Sequence, residues 1–142
     1  MNPTFREQLV IGNDLVWLSK VRDLVRRGVE QGNFPLDQLN RLQIAVDEAV
    51  TNIIEHGYAD KPRDVAAIDI TLAVDAHCFR IDIVDHGERF PVDELADVDI
   101  AAHVAAGRSG GLGVFLMRRI MDQVDYHFRA GQPNRLTMIK RR

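Results

Sequence analysis

Glu48 and Asn52 stand one helical turn apart in the run Leu39-Asn40-Arg41-Leu42-Gln43-Ile44-Ala45-Val46-Asp47-Glu48-Ala49-Val50-Thr51-Asn52-Ile53-Ile54-Glu55-His56-Gly57. A carboxylate and a carboxamide at i and i+4 share a helix face about 6 Å apart, close enough to serve one bound phosphate and its metal. In that role Glu48 is a general base and Asn52 an oxygen ligand for Mg²⁺, a hard cation that keeps several of its waters. The same face, Arg41, Ala45, Glu48, Asn52 and Glu55, is otherwise a solvated helix surface, the ordinary fate of charged residues at this spacing.

The helix that must position them is legible from the opposite stripe. Leu39, Leu42, Val46, Ala49, Val50 and Ile53 recur at threes and fours, with Pro35 near the start and Gly57 past the end. Before it, Phe5 to Ile11 reads as an edge strand and Gly12-Asn13-Asp14 as a turn able to cap a helix. Leu15 to Val29 reads as that helix, amphipathic, with Leu15, Leu18, Val21, Leu24 or Val25, and Gly28 inward and Lys20, Arg22, Arg26 and Arg27 outward. A polar loop from Tyr58 to Asp64 comes after Gly57. Alternation at Ile68, Ile70, Leu72, Val74 and at Phe79, Ile81, Ile83 around Asp75-Ala76-His77 then predicts a hairpin ended by Asp85. The periodicity weakens from His86 to Ser109, with a short helical turn expected around Val92 to Ala96. Leu112, Phe115, Leu116, Ile120 and Met121 predict a helix, and Val124 to Ala130 and Leu136 to Lys140 two closing strands about Gly131-Gln132-Pro133-Asn134.

Two further groups come after the Glu48/Asn52 helix in fixed order: Asp85-His86-Gly87 at a strand end and Gly110-Gly111-Leu112-Gly113 opening a helix. Together the three resemble the GHKL ATPase superfamily, the Bergerat nucleotide-binding fold, with its ExxxN helix, DxG box and GxG box. The wording Asp47-Glu48-Ala49-Val50-Thr51-Asn52, then Glu55-His56-Gly57-Tyr58, looks like the small anti-sigma factor serine/threonine kinases of bacterial partner-switching systems. The likeness runs from about Phe5 to Lys140.

That resemblance implies one domain over 1–142, ordered over about 5–140 with an ATP lid at 88–109. It implies an α/β two-layer sandwich whose mixed, mostly antiparallel sheet carries helices on one face. It further implies ATP and Mg²⁺ as cofactors, Glu48 as catalytic base toward a partner's Ser or Thr hydroxyl, and Asn52 as the Mg²⁺ ligand. Asp85 would accept a hydrogen bond from the adenine amino group, and Gly87 would leave room for the base. Gly110, Gly111 and Gly113 would bring backbone N–H groups to the phosphates at a helix N-terminus. Arg108 is a candidate for the γ-phosphate, with a solvated loop position as the alternative. The chain departs from the common DxGxG form, because Arg89 stands where the second glycine is often found.

The function so implied is an ATP-dependent anti-sigma factor kinase that phosphorylates a small antagonist protein, binds a sigma factor or similar regulator, and forms a homodimer. The alternative is a non-catalytic binding module of the same fold. The ATP-binding half of a histidine kinase is disfavoured, since no histidine precedes Leu39.

Composition bounds these readings. The 142 residues suit one domain, and 46 % apolar with 27 % charged residues suits a globular chain. The N-terminus lacks the order of a signal peptide and no apolar run is long enough to span a membrane, so a cytoplasmic location is expected. A net charge of −3 gives no general attraction to nucleic acid or anionic membrane. Cys78, alone, excludes an internal disulfide and a cysteine-based zinc cluster and reads as a small buried hydrophobe. His77 and His127 read as surface residues, His86 and His103 have no partner at metal-ligand spacing, and His56 suits a helix end.

Overall fold

Alternating apolar residues build the sheet. The computed structural model describes residues 4–59, 61–87, 116–128 and 131–142, and in these it forms five strands. They are β1 (Phe5–Gly12), β2 (Ala67–Val74), β3 (Cys78–Asp85), β4 (Gln123–His127) and β5 (Asn134–Arg141). Ile68, Ile70, Leu72 and Val74 on β2, Phe79, Ile81 and Ile83 on β3, and Leu136 and Met138 on β5 are all buried and share one face. The order is β1-β2-β3-β5-β4, and each of these pairings is antiparallel. β1 is an edge, as its sequence predicts.

Two helices join that face in one core. The first begins as a 3₁₀ turn, Leu15–Trp17, capped by the Asp14 carboxylate, which accepts the Val16 N–H at 3.1 Å. It continues as α1 (Leu18–Gln31), burying Val21, Leu24, Val25, Gly28 and Val29. Leu15, expected inside, is 41 % exposed because the tighter first turn rotates it off the stripe. Gly28 sets how closely α1 lies on β2, since a Cβ there would be 2.6 Å from Leu72 Cδ2. Arg27 donates to both Glu7 oxygens at 2.8 and 2.7 Å, a half-buried surface pair worth roughly 0.2–1 kcal/mol.

The predicted second helix divides in three: a 3₁₀ turn at Leu36–Gln38, α2 (Leu39–Asn52), and a π-helical segment, Ile53–Gly57. The apolar stripe is buried as expected, but Ala45 and Asn52 on the opposite face are buried too, at 0 % and 3 % exposed. α2 is therefore covered on more than one side. The wider π turn puts both Ile53 and Ile54 in the core and leaves Glu55 and His56 outside.

Beyond Gly57 the loop to β2 is tied back by Asn13, which is 3 % exposed. Its carboxamide donates to the Pro62 carbonyl at 2.9 Å and accepts from the Val65 and Ala66 amides at 2.9 and 3.0 Å. Trp17 Nε1 donates to Asp64 at 2.8 Å across the same junction. Residues 116–120 are helical, but their packing departs from expectation: Met117 is fully buried, whereas Leu116 is 40 % exposed. β4 runs from Gln123 to His127, one residue ahead of the predicted start at Val124, with Arg129 and Ala130 outside the described residues, and Cys78 is only half-buried. The expected turn at Val92 to Ala96 lies outside the described residues.

The outer face of the sheet holds a nearly buried charge. Asp82 accepts from the Thr137 hydroxyl at 2.6 Å and pairs with Arg80 and Arg135. Burial pushes its carboxyl up, but these partners outweigh burial and hold it below the usual carboxylate range.

Candidate functional site

Glu48 and Asn52 ride on the last turns of α2, which Leu42, Val46, Ala49 and Val50 anchor in the core. Glu48 is half-buried, and its carboxyl is pushed above the usual range, by burial first and then by the charges of Asp47 and Glu55. Asp47 itself is held by Arg22 of α1 at 2.7 Å. Asn52 closes α2 with a buried Nδ2 that meets no hydrogen-bond partner among the described residues. A buried donor left in that state costs about 1–3 kcal/mol, which a ligand bringing an acceptor oxygen would recover.

Asp85 reaches the site from the end of β3. It is 2 % exposed, and burial raises its pKa against the opposing hydrogen bonds of Asn134 and the Gly87 N–H. Its Oδ1 accepts the Gly87 N–H at 2.9 Å and Asn134 Nδ2 at 3.1 Å. Asn134 lies directly across the β3/β5 ladder from Asp85 and also donates to the Gly87 carbonyl at 2.9 Å.

Gly87 joins the two halves. A Cβ there would be 2.6 Å from the Gly57 carbonyl oxygen and 2.8 Å from its carbon, so only a glycine lets the turn after β3 rest on the end of the π segment. The Tyr58 hydroxyl completes the seam by accepting the His86 N–H at 2.9 Å. Tyr58 is buried at 6 %, not exposed in a polar loop as the sequence suggested. Arg89, Arg108, Gly110, Gly111 and Gly113 lie outside the described residues.

Sequence reasoning missed Gly57, Tyr58 and Asn134 as parts of this seam. An aromatic residue between a helix end and a polar stretch was a usable sign for Tyr58. Asn134 carried none, because only strand register places it opposite Asp85.

The lining fits a nucleotide. It offers buried acceptors at Asp85 and Asn134, an amide donor at Asn52 with no partner among the described residues, and a carboxylate of raised basicity at Glu48. Among the described residues, no group of three His, Cys, Asp or Glu could hold a metal by itself. A divalent cation here would therefore share its coordination between Asn52 and phosphate oxygens.

The profile of the histidine kinase-like ATPase domain matches residues 12–140. The chain belongs to that family. Membership implies ATP as the nucleotide, and the observed antiparallel sheet with helices on one face is the fold expected of it. Among its relatives, the anti-sigma F factor of Anoxybacillus flavithermus is 30 % identical over 122 residues, covering 86 % of this chain and 82 % of that one. The serine-protein kinase RsbW of Staphylococcus aureus is 32 % identical over 99 residues, 67 % of this chain and 62 % of that one. Two solved structures share the fold. One contains the RsbU and RsbW domains of a Mycobacterium tuberculosis protein, with a TM-score of 0.64 and 18 % identity, covering 98 % of this chain and 33 % of that one. The other is the SiaB–SiaC complex of Pseudomonas aeruginosa, with a TM-score of 0.62 and 14 % identity, covering 96 % and 89 %. Among the described residues, no helix of this family member is long and apolar enough to cross a membrane.

Proposed function

We propose that this protein is an ATP-dependent serine/threonine kinase acting as an anti-sigma factor in a partner-switching system. Its substrate is a small antagonist protein, and its other partner is a sigma factor or similar regulator. It works in the cytoplasm as a homodimer of single domains, and the ATP lid expected over 88–109 lies outside the described residues. The observation that supports this reading most is the seating of Gly87 on Gly57, which joins the Asp85 turn to the helix of Glu48 and Asn52 in a chain akin to an anti-sigma F factor.

In this reading Asp85 accepts from the adenine amino group, and Gly87 gives the base room. Asn52 would hold Mg²⁺, which would supply neutralisation of charge at the transferring group. Glu48 takes the proton of the partner's hydroxyl as that oxygen bonds to the γ-phosphorus and the bond to the ADP oxygen breaks. Half-burial beside Asp47 and Glu55 makes Glu48 a stronger base than a free carboxylate.

Calorimetry with ATP, with and without Mg²⁺, tests the site, and transfer of labelled γ-phosphate to a co-purifying protein tests the chemistry. Saturable binding is expected, abolished by Asp85→Asn and stripped of its Mg²⁺ dependence by Asn52→Ala. Absence of binding at millimolar ATP would sink the reading and leave a non-catalytic protein-binding module.

A further inference from the structure

Asn134 belongs to none of the three sequence boxes, yet its carboxamide is built into the site. Both Nδ2 hydrogens are committed, one to Asp85 Oδ1 and one to the Gly87 carbonyl, which fixes the plane of the amide. Its Oδ1 is buried and meets no donor among the described residues. Asp85, 2 % exposed, faces it: its Oδ1 accepts twice, while no described residue donates to the other oxygen. Two acceptors on facing residues of adjacent strands thus lack donors among the described residues. A hydroxyl or a secondary amine carries one hydrogen and satisfies one of them, whereas a primary amine carries two on a single nitrogen.

We propose that Asn134 is a specificity-determining residue of the nucleotide site: its Oδ1 and the second oxygen of Asp85 together take the two hydrogens of the adenine exocyclic amine. This rests on the ATP reading of the site. The pair admits an unsubstituted amino group and rejects both a carbonyl at that position and an amine bearing a methyl group, because each leaves a buried acceptor unpaired.

Calorimetric titration of the wild-type protein with ATP, N6-methyl-ATP and ITP tests this without any variant. ATP is expected to bind about 5- to 10-fold more tightly than N6-methyl-ATP, the worth of one hydrogen bond in a buried site. Asn134→Thr, whose β-branched side chain suits a strand, should bring that ratio close to one while the preference for ATP over ITP, carried by Asp85, persists. General loss of stability does not change a ratio of affinities. Equal wild-type affinity for ATP and N6-methyl-ATP, or a ratio unchanged in Asn134→Thr, overturns the assignment. Failure of the wild-type protein to bind ATP at all overturns the ATP reading instead.

Discussion

Glu48 carries two separable consequences of one environment. As a base it is replaced poorly by an amide, so Glu48→Gln should lower phosphoryl transfer by about 10²- to 10⁴-fold while ATP still binds. Calorimetry beside a transfer assay distinguishes this from a binding defect, and lost ATP affinity would refute the assigned role. The second consequence concerns stability. Burial, Asp47 and Glu55 raise the folded-state pKa of Glu48 above its unfolded value, so the fold prefers the protonated acid. The stability linked to Glu48 is fully present below an unfolded pKa of about 4.3 and is lost as pH rises through the folded value. The melting temperature of Glu48→Gln relative to wild type should therefore be higher at pH 8 than at pH 4. A difference independent of pH would show that Glu48 is not perturbed.

Between elements, the decisive contact is the meeting of the turn after β3 with the π segment after α2. Gly87→Ala places a methyl 2.6 Å from the Gly57 carbonyl oxygen, where backbone faces backbone and no flexible side chain can give way. Overpacking of this kind costs roughly 1–3 kcal/mol. Urea unfolding should register that loss, and ATP affinity should fall with it, because the seam holds Asp85 in place. Unchanged stability and affinity would mean that the two elements are not in register as described. This seam also marks where the sequence stops being legible. The periods of 2 and 3.6 reveal β2, β3, α1 and α2, since each buries one face. The π segment escapes them, because five residues spaced for neither period carry no pattern of their own. The burial of Asn52 escapes for a related reason: an asparagine beside a glutamate reads as surface until a second element is known to cover it.

At the scale of the molecule, one apolar stripe or alternating face per element specifies a single core and a helices-on-sheet arrangement. Which polar residues face one another across that core is set by strand register, and register is a property of pairs of strands. Hence Glu48, Asp85 and Gly87 could be nominated from the chain alone, whereas Asn134, 49 residues after Asp85, could not. The junction fastened by Asn13 bears on the same theme from the opposite direction, because there a buried polar side chain stands in for strand pairing. Val65 is 63 % exposed and outside any strand, yet its amide and that of Ala66 are bonded to a carboxamide that is itself buried. In deuterium oxide these two loop amides should exchange with solvent at rates close to those of the flanking β2 amides, since both must wait for Asn13 to open. In Asn13→Ala they should exchange as freely as their surface position suggests.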